Sequence, residues 1–243
     1  MMVSRVLKKI LLTVDKKRSI LQKRNHSKSH LTDSSFRDSI LGIPFYRFYY
    51  DEDKRDAVYN SVRNLSFRDN DTNWIWRGVT LDGLGSDLYK HPDFIELHQW
   101  MHGCMNQVIQ DMGITCKVAC NSSWAHLNKP GQYIYEHIHT NCFFSSNYYI
   151  SGHPEDKTVW VDNNPYFHKT NMRPCGMWEE DYYYLKHKES TEPGKFIVFP
   201  PMIRHRSEPN TSPGDRYTIG SNWALDGLIN EGGVSRLNLQ VLQ

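Results

Sequence analysis

The stretch Tyr133-Ile134-Tyr135-Glu136-His137-Ile138-His139 decides how this chain of 243 residues is read. In a strand, successive side chains point to opposite faces. His137 and His139 therefore share one face with Tyr133 and Tyr135, while Glu136 and Ile138 take the other. Two imidazoles about 7 Å apart along a strand can converge on one metal ion, with bonds of about 2.0–2.2 Å. An HxH pair alone is a weak signal. The chain carries 12 histidines, and a pair two residues apart can equally be hydrogen-bonded core or surface groups.

A second stretch, Pro193-Gly194-Lys195-Phe196-Ile197-Val198-Phe199-Pro200-Pro201-Met202-Ile203-Arg204-His205, adds a third candidate ligand. The Pro-Gly turn launches an apolar strand, and the Pro-Pro break is expected to deliver His205 to that strand's far end. Further on, Arg216 opens Arg216-Tyr217-Thr218-Ile219-Gly220-Ser221-Asn222-Trp223, in which Arg216, Thr218, Gly220 and Asn222 face one way. An arginine turned inward needs an anionic partner, because its unpaired charge is costly in the interior. A planar carboxylate held at two points is the natural ligand. Taken alone, Arg216 is as well read as a surface arginine beginning a strand.

Around these stretches the chain alternates short β-branched and aromatic runs with Gly, Pro and Asn turns, over 117–127, 132–139, 143–151, 157–162, 195–199 and 216–223. That pattern predicts a sandwich or barrel of the jelly-roll kind. No self-similar period points to a repeat protein. Upstream, 43–49 reads as a strand. A helix is expected from Asp51 or Asp53 to about Leu65, with Ala57, Val58, Val62 and Leu65 facing inward. A stronger helix begins at His91-Pro92-Asp93, where proline suits the first turn. Phe94, Leu97, Met101, Cys104, Met105, Val108 and Met112 form its apolar stripe, a core-packing face, and Gly113 ends it. The expected organisation is a basic leader and linker over 1–42, one domain over 43–225, and a C-terminal tail over 226–243.

Composition bounds the rest. A chain of this length buries about 70% of the surface its unfolded form exposes, so it needs no disulfide staples. Five cysteines (Cys104, Cys116, Cys120, Cys142, Cys175) contain no CxxC pair, which speaks against a disulfide framework or thiolate zinc site and fits a reducing, cytoplasmic setting. The net charge is +2, but Met1–Ser29 holds nine Lys or Arg residues against Asp15, about +8, leaving about −6 on the remainder. Val3, Val6, Leu7, Ile10, Leu11 and Val14 recur at helical spacing among those lysines. They read as an amphipathic helix for a membrane or acidic partner, or as a solvated basic tail. No apolar run is long enough to span a bilayer, and Lys8 and Lys9 interrupt what would be a secretory signal. The charge of the body gives no reason to favour nucleic acid.

The order of these elements carries more than any one of them: HxH, a Pro-Gly strand leading to a histidine, then an arginine followed two residues later by threonine. In that order the sequence resembles the iron(II)- and 2-oxoglutarate-dependent oxygenases. Within them it is most similar to a phage and bacterial group distantly like prolyl hydroxylases. His137 to Ile150 matches the group's HxH, short loop and Ser-Gly-x-Tyr-Tyr strand; Gly194 to His205 matches its "G…FP…H" segment, and Arg216 to Trp223 its "R…S-F-N" ending. The resemblance spans about Ile43 to Trp223. It implies a mainly β, double-stranded β-helix core (jelly-roll, cupin-like) with N-terminal helices, and iron(II) held by His137, His139 and His205. It also implies 2-oxoglutarate held at its distal carboxylate by Arg216 with Thr218. The implied reaction consumes oxygen and hydroxylates an unidentified substrate, a small molecule or a protein side chain, releasing succinate and carbon dioxide. For a phage-encoded chain the setting would be the host cytoplasm. Tyr135, Tyr149, Asn147, Asn141, Asn222 and Trp124 are candidate pocket residues, although aromatics in a barrel more often serve the core.

Two departures stand out. Most of the superfamily carries HxD or HxE, completing two histidines and one carboxylate. Here His139 takes the acidic position and leaves three neutral imidazoles, with Asn141 a possible substitute ligand. Ser146 stands where the group has Gly. Two alternatives remain at this level. A cupin would share the fold but place a glutamate near Phe143 and Phe144. A metal-free jelly roll, used for binding or virion attachment, would suit the basic leader. The aromatic-rich segments 67–90 and 160–187 (Trp74, Trp76, Trp160, Trp178 and Tyr182-Tyr183-Tyr184) are expected near the barrel mouth.

Overall fold

Strand alternation sorts the side chains of this protein onto two sides of one large sheet, and each side then demands its own cover. The computed structural model describes residues 36–40, 43–69, 78–80, 87–162, 185–229 and 237–241. The basic leader, Trp74, Trp76, Cys175, Trp178 and the Tyr182-Tyr183-Tyr184 run lie outside them.

The large sheet contains β1 (Phe36–Ile40), β2 (Ile43–Tyr49), β3 (Phe67–Asp69), β4 (Gly78–Thr80), β5 (Lys117–Asn128), β6 (Phe144–Tyr149), β9 (Lys195–Phe199) and β11 (Arg216–Ile229). Their order is β1-β2-β9-β6-β11-β5-β4-β3, with every pairing antiparallel and β12 (Leu237–Leu239) added to β11. The small sheet runs β10 (Arg204–Ser207), β7 (Lys157–Asp162), β8 (Leu185–Ser190). The stretch 132–139 lies along its β10 edge: His137 N–H donates to His205 O and His205 N–H to His137 O, both at 3.0 Å, and Ser207 N–H donates to Ile134 O at 3.0 Å. From β5 onward the chain thus visits large, small, large, small, small, large, small, large. That is a double-stranded β-helix, as the sequence led one to expect.

Two helices cover the outer side of the large sheet, α1 (Glu52–Arg63) and α2 (Ile95–Asp111). Val58 and Val62 of α1, with Leu97, Met101, Cys104, Met105 and Val108 of α2, form one core with Phe48, Phe144, Tyr148, Phe196, Val198, Ile219 and Trp223. The next residues along the same strands point to the other side. There Phe45, Tyr149, Ile197 and Phe199 meet Trp160 of β7 and Ile203 in a second cluster, between the sheets.

Several sequence expectations shift by a turn or a strand. Met112 falls beyond α2 and is 38% exposed, and Ala57 of α1 faces solvent. The strands β8 and β10 were not foreseen. Instead of carrying His205 to the end of one strand, Pro200-Pro201 breaks the ladder after β9 and sends the chain to the other sheet, so His205 sits on β10. Strand pairing also reaches outside 43–225: β1 pairs with β2 and β12 with the end of β11. Gly194, with φ +84°, makes the turn into β9 that its Pro-Gly sequence indicates.

One buried histidine ties α2 to β5. His98 Nδ1–H donates to Phe94 O at 3.0 Å, and its Nε2 accepts from Ser123 Oγ at 2.8 Å. Burial lowers its pKa to about 4 against 6.5 when unfolded. The unfolded chain therefore binds the extra proton first, and stability falls as pH drops from 6.5 towards 4, by up to about 3 kcal/mol. Urea unfolding across that window should show this slope in the parent and a flatter one in His98→Gln; equal slopes would remove His98 as its source.

Candidate metal centre

His137, His139 and His205 meet at one end of the space between the sheets. Their ligand atoms all lie within 4.8 Å of one another, the only such His, Cys, Asp or Glu group containing three members among the described residues. The backbone sets the chemistry of two of them. His137 Nδ1–H donates to Tyr135 O at 2.8 Å and His205 Nδ1–H to Ile203 O at 3.0 Å, so each neutral ring carries its proton at Nδ1 and its lone pair at Nε2, the tautomer that a metal ligand through Nε2 requires. His139 Nε2 lies 3.2 Å from His205 Nε2. Two nitrogens each about 2.1 Å from one ion at a right angle would stand about 3.0 Å apart. The donor set therefore fits a divalent transition metal, with imidazoles suited to iron.

Packing holds these rings in place. His205 is 2% exposed, lies against the edge of Phe199 (4.7 Å between centroids, 69°), and is stacked over Trp160 (6.2 Å, 21°). Burial, then the neighbouring His137 and His139, depress its pKa well below the ordinary value, so the ring is neutral and ready to ligate. Trp124 stacks on His139 (5.7 Å, 25°), and its Nε1–H donates to His126 Nε2 at 2.6 Å. The other face of the HxH stretch behaves as alternation requires: Ile138 is exposed and Glu136 pairs outward with Arg204 and Arg206.

Gly220 gives Trp124 its room. A Cβ at residue 220 would lie 2.8 Å from Cε2 and Cζ2 of the indole. Gly220→Ala is expected to destabilise the protein by about 1–3 kcal/mol, by the usual cost of overpacking. It should also lower metal retention by moving the ring that backs His139. A urea midpoint and metal content equal to the parent's would refute the close approach.

Arg216 reaches the same cavity from β11. It is 1% exposed; its Nη2 donates to Ser207 Oγ at 3.1 Å and to Glu208 O at 2.8 Å, and its Nη1 lies 3.2 Å from Asp156 Oδ2. Asp156 Oδ1 accepts from Thr211 N at 2.9 Å and Thr211 Oγ1 at 2.7 Å. Burial pushes the Asp156 carboxyl up, but the Thr211 bonds and Arg216 outweigh it and the net shift is downward, so it is ionised. Tyr149 donates from its hydroxyl to Thr158 Oγ1 at 2.8 Å, and burial keeps the phenol protonated.

Of the residues singled out in the sequence, the three histidines, Arg216, Thr218, Trp124, Asn147 and Tyr149 line this one cavity. Three do not. Asn222 faces the same side but is bonded to Ser145 Oγ (2.8 Å); Asn141 sits in an exposed left-handed turn (φ 59°); Tyr135 contributes its carbonyl to His137. His126, Asn128, Thr158 and Ser207 line the cavity without having been foreseen. Ser207 was within reach, being two residues beyond His205 on one strand face. Asp156 had no such signal.

Residues 122–222 match the family model described as "Putative 2OG-Fe(II) oxygenase", a span that runs from within β5 to within β11. No curated protein matches the chain. Among solved structures, it is similar to an oxidoreductase of the 2OG-Fe(II) oxygenase family from Burkholderia pseudomallei, with TM-score 0.51 and 11% identity over 74% of this chain and 84% of that one. HygX from Streptomyces hygroscopicus, solved with nickel, 2-oxoglutarate and hygromycin B, gives TM-score 0.50 and 12% identity over 74% and 82%. A prolyl hydroxylase from Trichoplax adhaerens, in complex with a hypoxia inducible factor peptide fragment, gives TM-score 0.50 and 13% identity over 79% and 84%. At such identities these likenesses establish the fold.

Proposed function

We infer, from the match of residues 122–222 to the 2OG-Fe(II) oxygenase family model, that this chain is an iron(II)- and 2-oxoglutarate-dependent dioxygenase that hydroxylates an organic substrate with release of succinate and carbon dioxide. One observation carries the reading: three imidazoles with converging ligand atoms and a buried arginine open on a single cavity. His137, His139 and His205 are the proposed iron ligands. Bound iron(II) supplies the oxygen-activating redox chemistry. The chain's own contribution is to fix two ring tautomers through Tyr135 O and Ile203 O, and to shield the rings with Trp124, Trp160 and Phe199. Arg216 and Thr218 are proposed to receive the distal carboxylate of 2-oxoglutarate, with Tyr149 beside them. The substrate is a small molecule or a protein side chain.

Succinate formed from 2-oxoglutarate by iron(II)-reconstituted protein is the deciding assay. Folded protein that takes up no stoichiometric iron and forms no succinate would overturn the reading. The three-histidine set makes its own prediction. His139→Asp should retain iron, because a carboxylate is the ligand most of the superfamily uses there, while the lost unit of positive charge should weaken 2-oxoglutarate binding by about tenfold. Anaerobic titration checks both; a folded variant that loses iron would count against His139 as a ligand position.

A cupin-like or metal-free jelly roll is less well supported. Phe144, at a position where a cupin would be expected to supply a glutamate, is buried in the core under the helices. Against a metal-free jelly roll stands the convergence of three imidazoles on one point, two of them with Nδ1 tied to a backbone carbonyl.

A further inference from the structure

Arg216 meets the cavity already paired. Its partner Asp156, just before β7, is equally enclosed, each residue being 1% exposed. The carboxylate is pinned. Its Oδ1 carries both Thr211 bonds, its own N–H donates to His153 O at 3.0 Å, and its carbonyl accepts from Thr191 N at 3.1 Å. The contact of Oδ2 with Nη1 at 3.2 Å is an ion contact without an aligned hydrogen bond, and neither atom has a hydrogen-bond partner among the described residues. Nη2 is committed to Ser207 Oγ and Glu208 O. Nη1 therefore keeps donor capacity for a ligand, while the charge at this end of the cavity is already neutralised.

We propose that Asp156 is a resident counter-ion of the co-substrate anchor, and that through Arg216 it sets how strongly the site prefers a dicarboxylic 2-oxo acid over a monocarboxylic one. The proposal rests on the oxygenase reading above. A carboxylate as firmly held as Asp156 does not swing aside for the ligand. The co-substrate's distal carboxylate joins it, and the guanidinium then stands between two anions. Asp156 keeps the empty anchor from being an unpaired buried charge, at the cost of a weaker pull on the incoming anion. Removing its charge leaves the ligand's carboxylate as the only anion at Nη1 of Arg216.

The test is the ratio of two dissociation constants, for 2-oxoglutarate and for 2-oxopentanoate, which has a methyl group in place of the distal carboxylate. Both are measured anaerobically by calorimetric titration of iron(II)-reconstituted protein. Asp156→Asn should raise the preference for 2-oxoglutarate by about tenfold, with 2-oxopentanoate affinity holding within about threefold. A merely structural role would move both ligands together. An unchanged or reduced preference overturns the proposal. Should the asparagine variant not fold, Asp156→Ser, which leaves space for water beside the guanidinium, carries the same expectation and the same refutation. Arg216→Met separates the two levels of inference. If the parent prefers 2-oxoglutarate, Arg216→Met abolishes that preference and the Asp156 variants leave it unchanged, only the counter-ion role fails. If the parent does not bind 2-oxoglutarate, or Arg216→Met leaves its preference intact, the anchor reading fails and the counter-ion role with it.

Discussion

Replacing His205 by alanine is expected to remove stoichiometric iron and all measurable succinate formation. Outer-sphere partners of a metal ligand are typically worth about 10–100-fold in affinity, so loss of a ligand itself should exceed that. His205 is also the most enclosed of the three, backed by Phe199 and Trp160, and its Nε2 faces that of His139. The backbone bonds joining residue 205 to His137 do not involve the side chain, so the local strand pairing should survive the substitution. Metal analysis beside a circular dichroism spectrum distinguishes a lost ligand from a lost fold. A folded variant with a full complement of iron would remove His205 from the site.

The second large effect is expected on stability. Arg216→Met strips the partner from a buried carboxylate, a change that typically costs about 3–5 kcal/mol. The sign of its pH dependence follows. Without the guanidinium, burial is opposed by the Thr211 bonds alone, so the folded-state pKa of Asp156 rises relative to the parent's. The variant then loses less stability than the parent as the carboxylate protonates, and the deficit between them should shrink as pH falls. Urea unfolding at neutral and mildly acidic pH measures both. A variant as stable as the parent at neutral pH would mean that Asp156 is not held ionised in the interior. The same substitution should raise the 2-oxoglutarate requirement sharply.

Much of this site was legible because strands have a period of two. That rule alone placed His137 with His139, put Ile138 and Glu136 outside, and set Arg216, Thr218, Gly220 and Asn222 on one side of β11. The HxH stretch needed no regular ladder to obey it: residues 132–139 form a single bridge, yet both rings arrive where alternation sends them. The misses have physical causes too. The Pro-Pro break reads locally as an interruption, and only the pairing of β10 with β7 reveals it as a crossing between sheets. Asn141 drops out because its left-handed backbone ends the extended stretch and turns the chain away. Asp156 could not be found from pattern at all. A lone acid in a polar turn looks solvated until the fold closes an arginine over it.

The proposed ligands and the proposed anchor belong to different sheets: the histidines stand on or beside β10, whereas Arg216, Thr218, Asn147 and Tyr149 stand on β11 and β6. No strand carries both, and Arg216 spans the gap between the two walls, rooted in β11 and bonded at its tip to Ser207 of β10 and to Glu208. Phe45, Ile197, Phe199, Trp160 and Ile203 wedge those walls apart, and together they act as the gauge block of a calliper. Trimming that block would let the walls close and would also loosen His205, which rests on Phe199 and Trp160. A lesion there would read as weakened metal or co-substrate binding, although none of the block's own atoms is a proposed ligand or anchor.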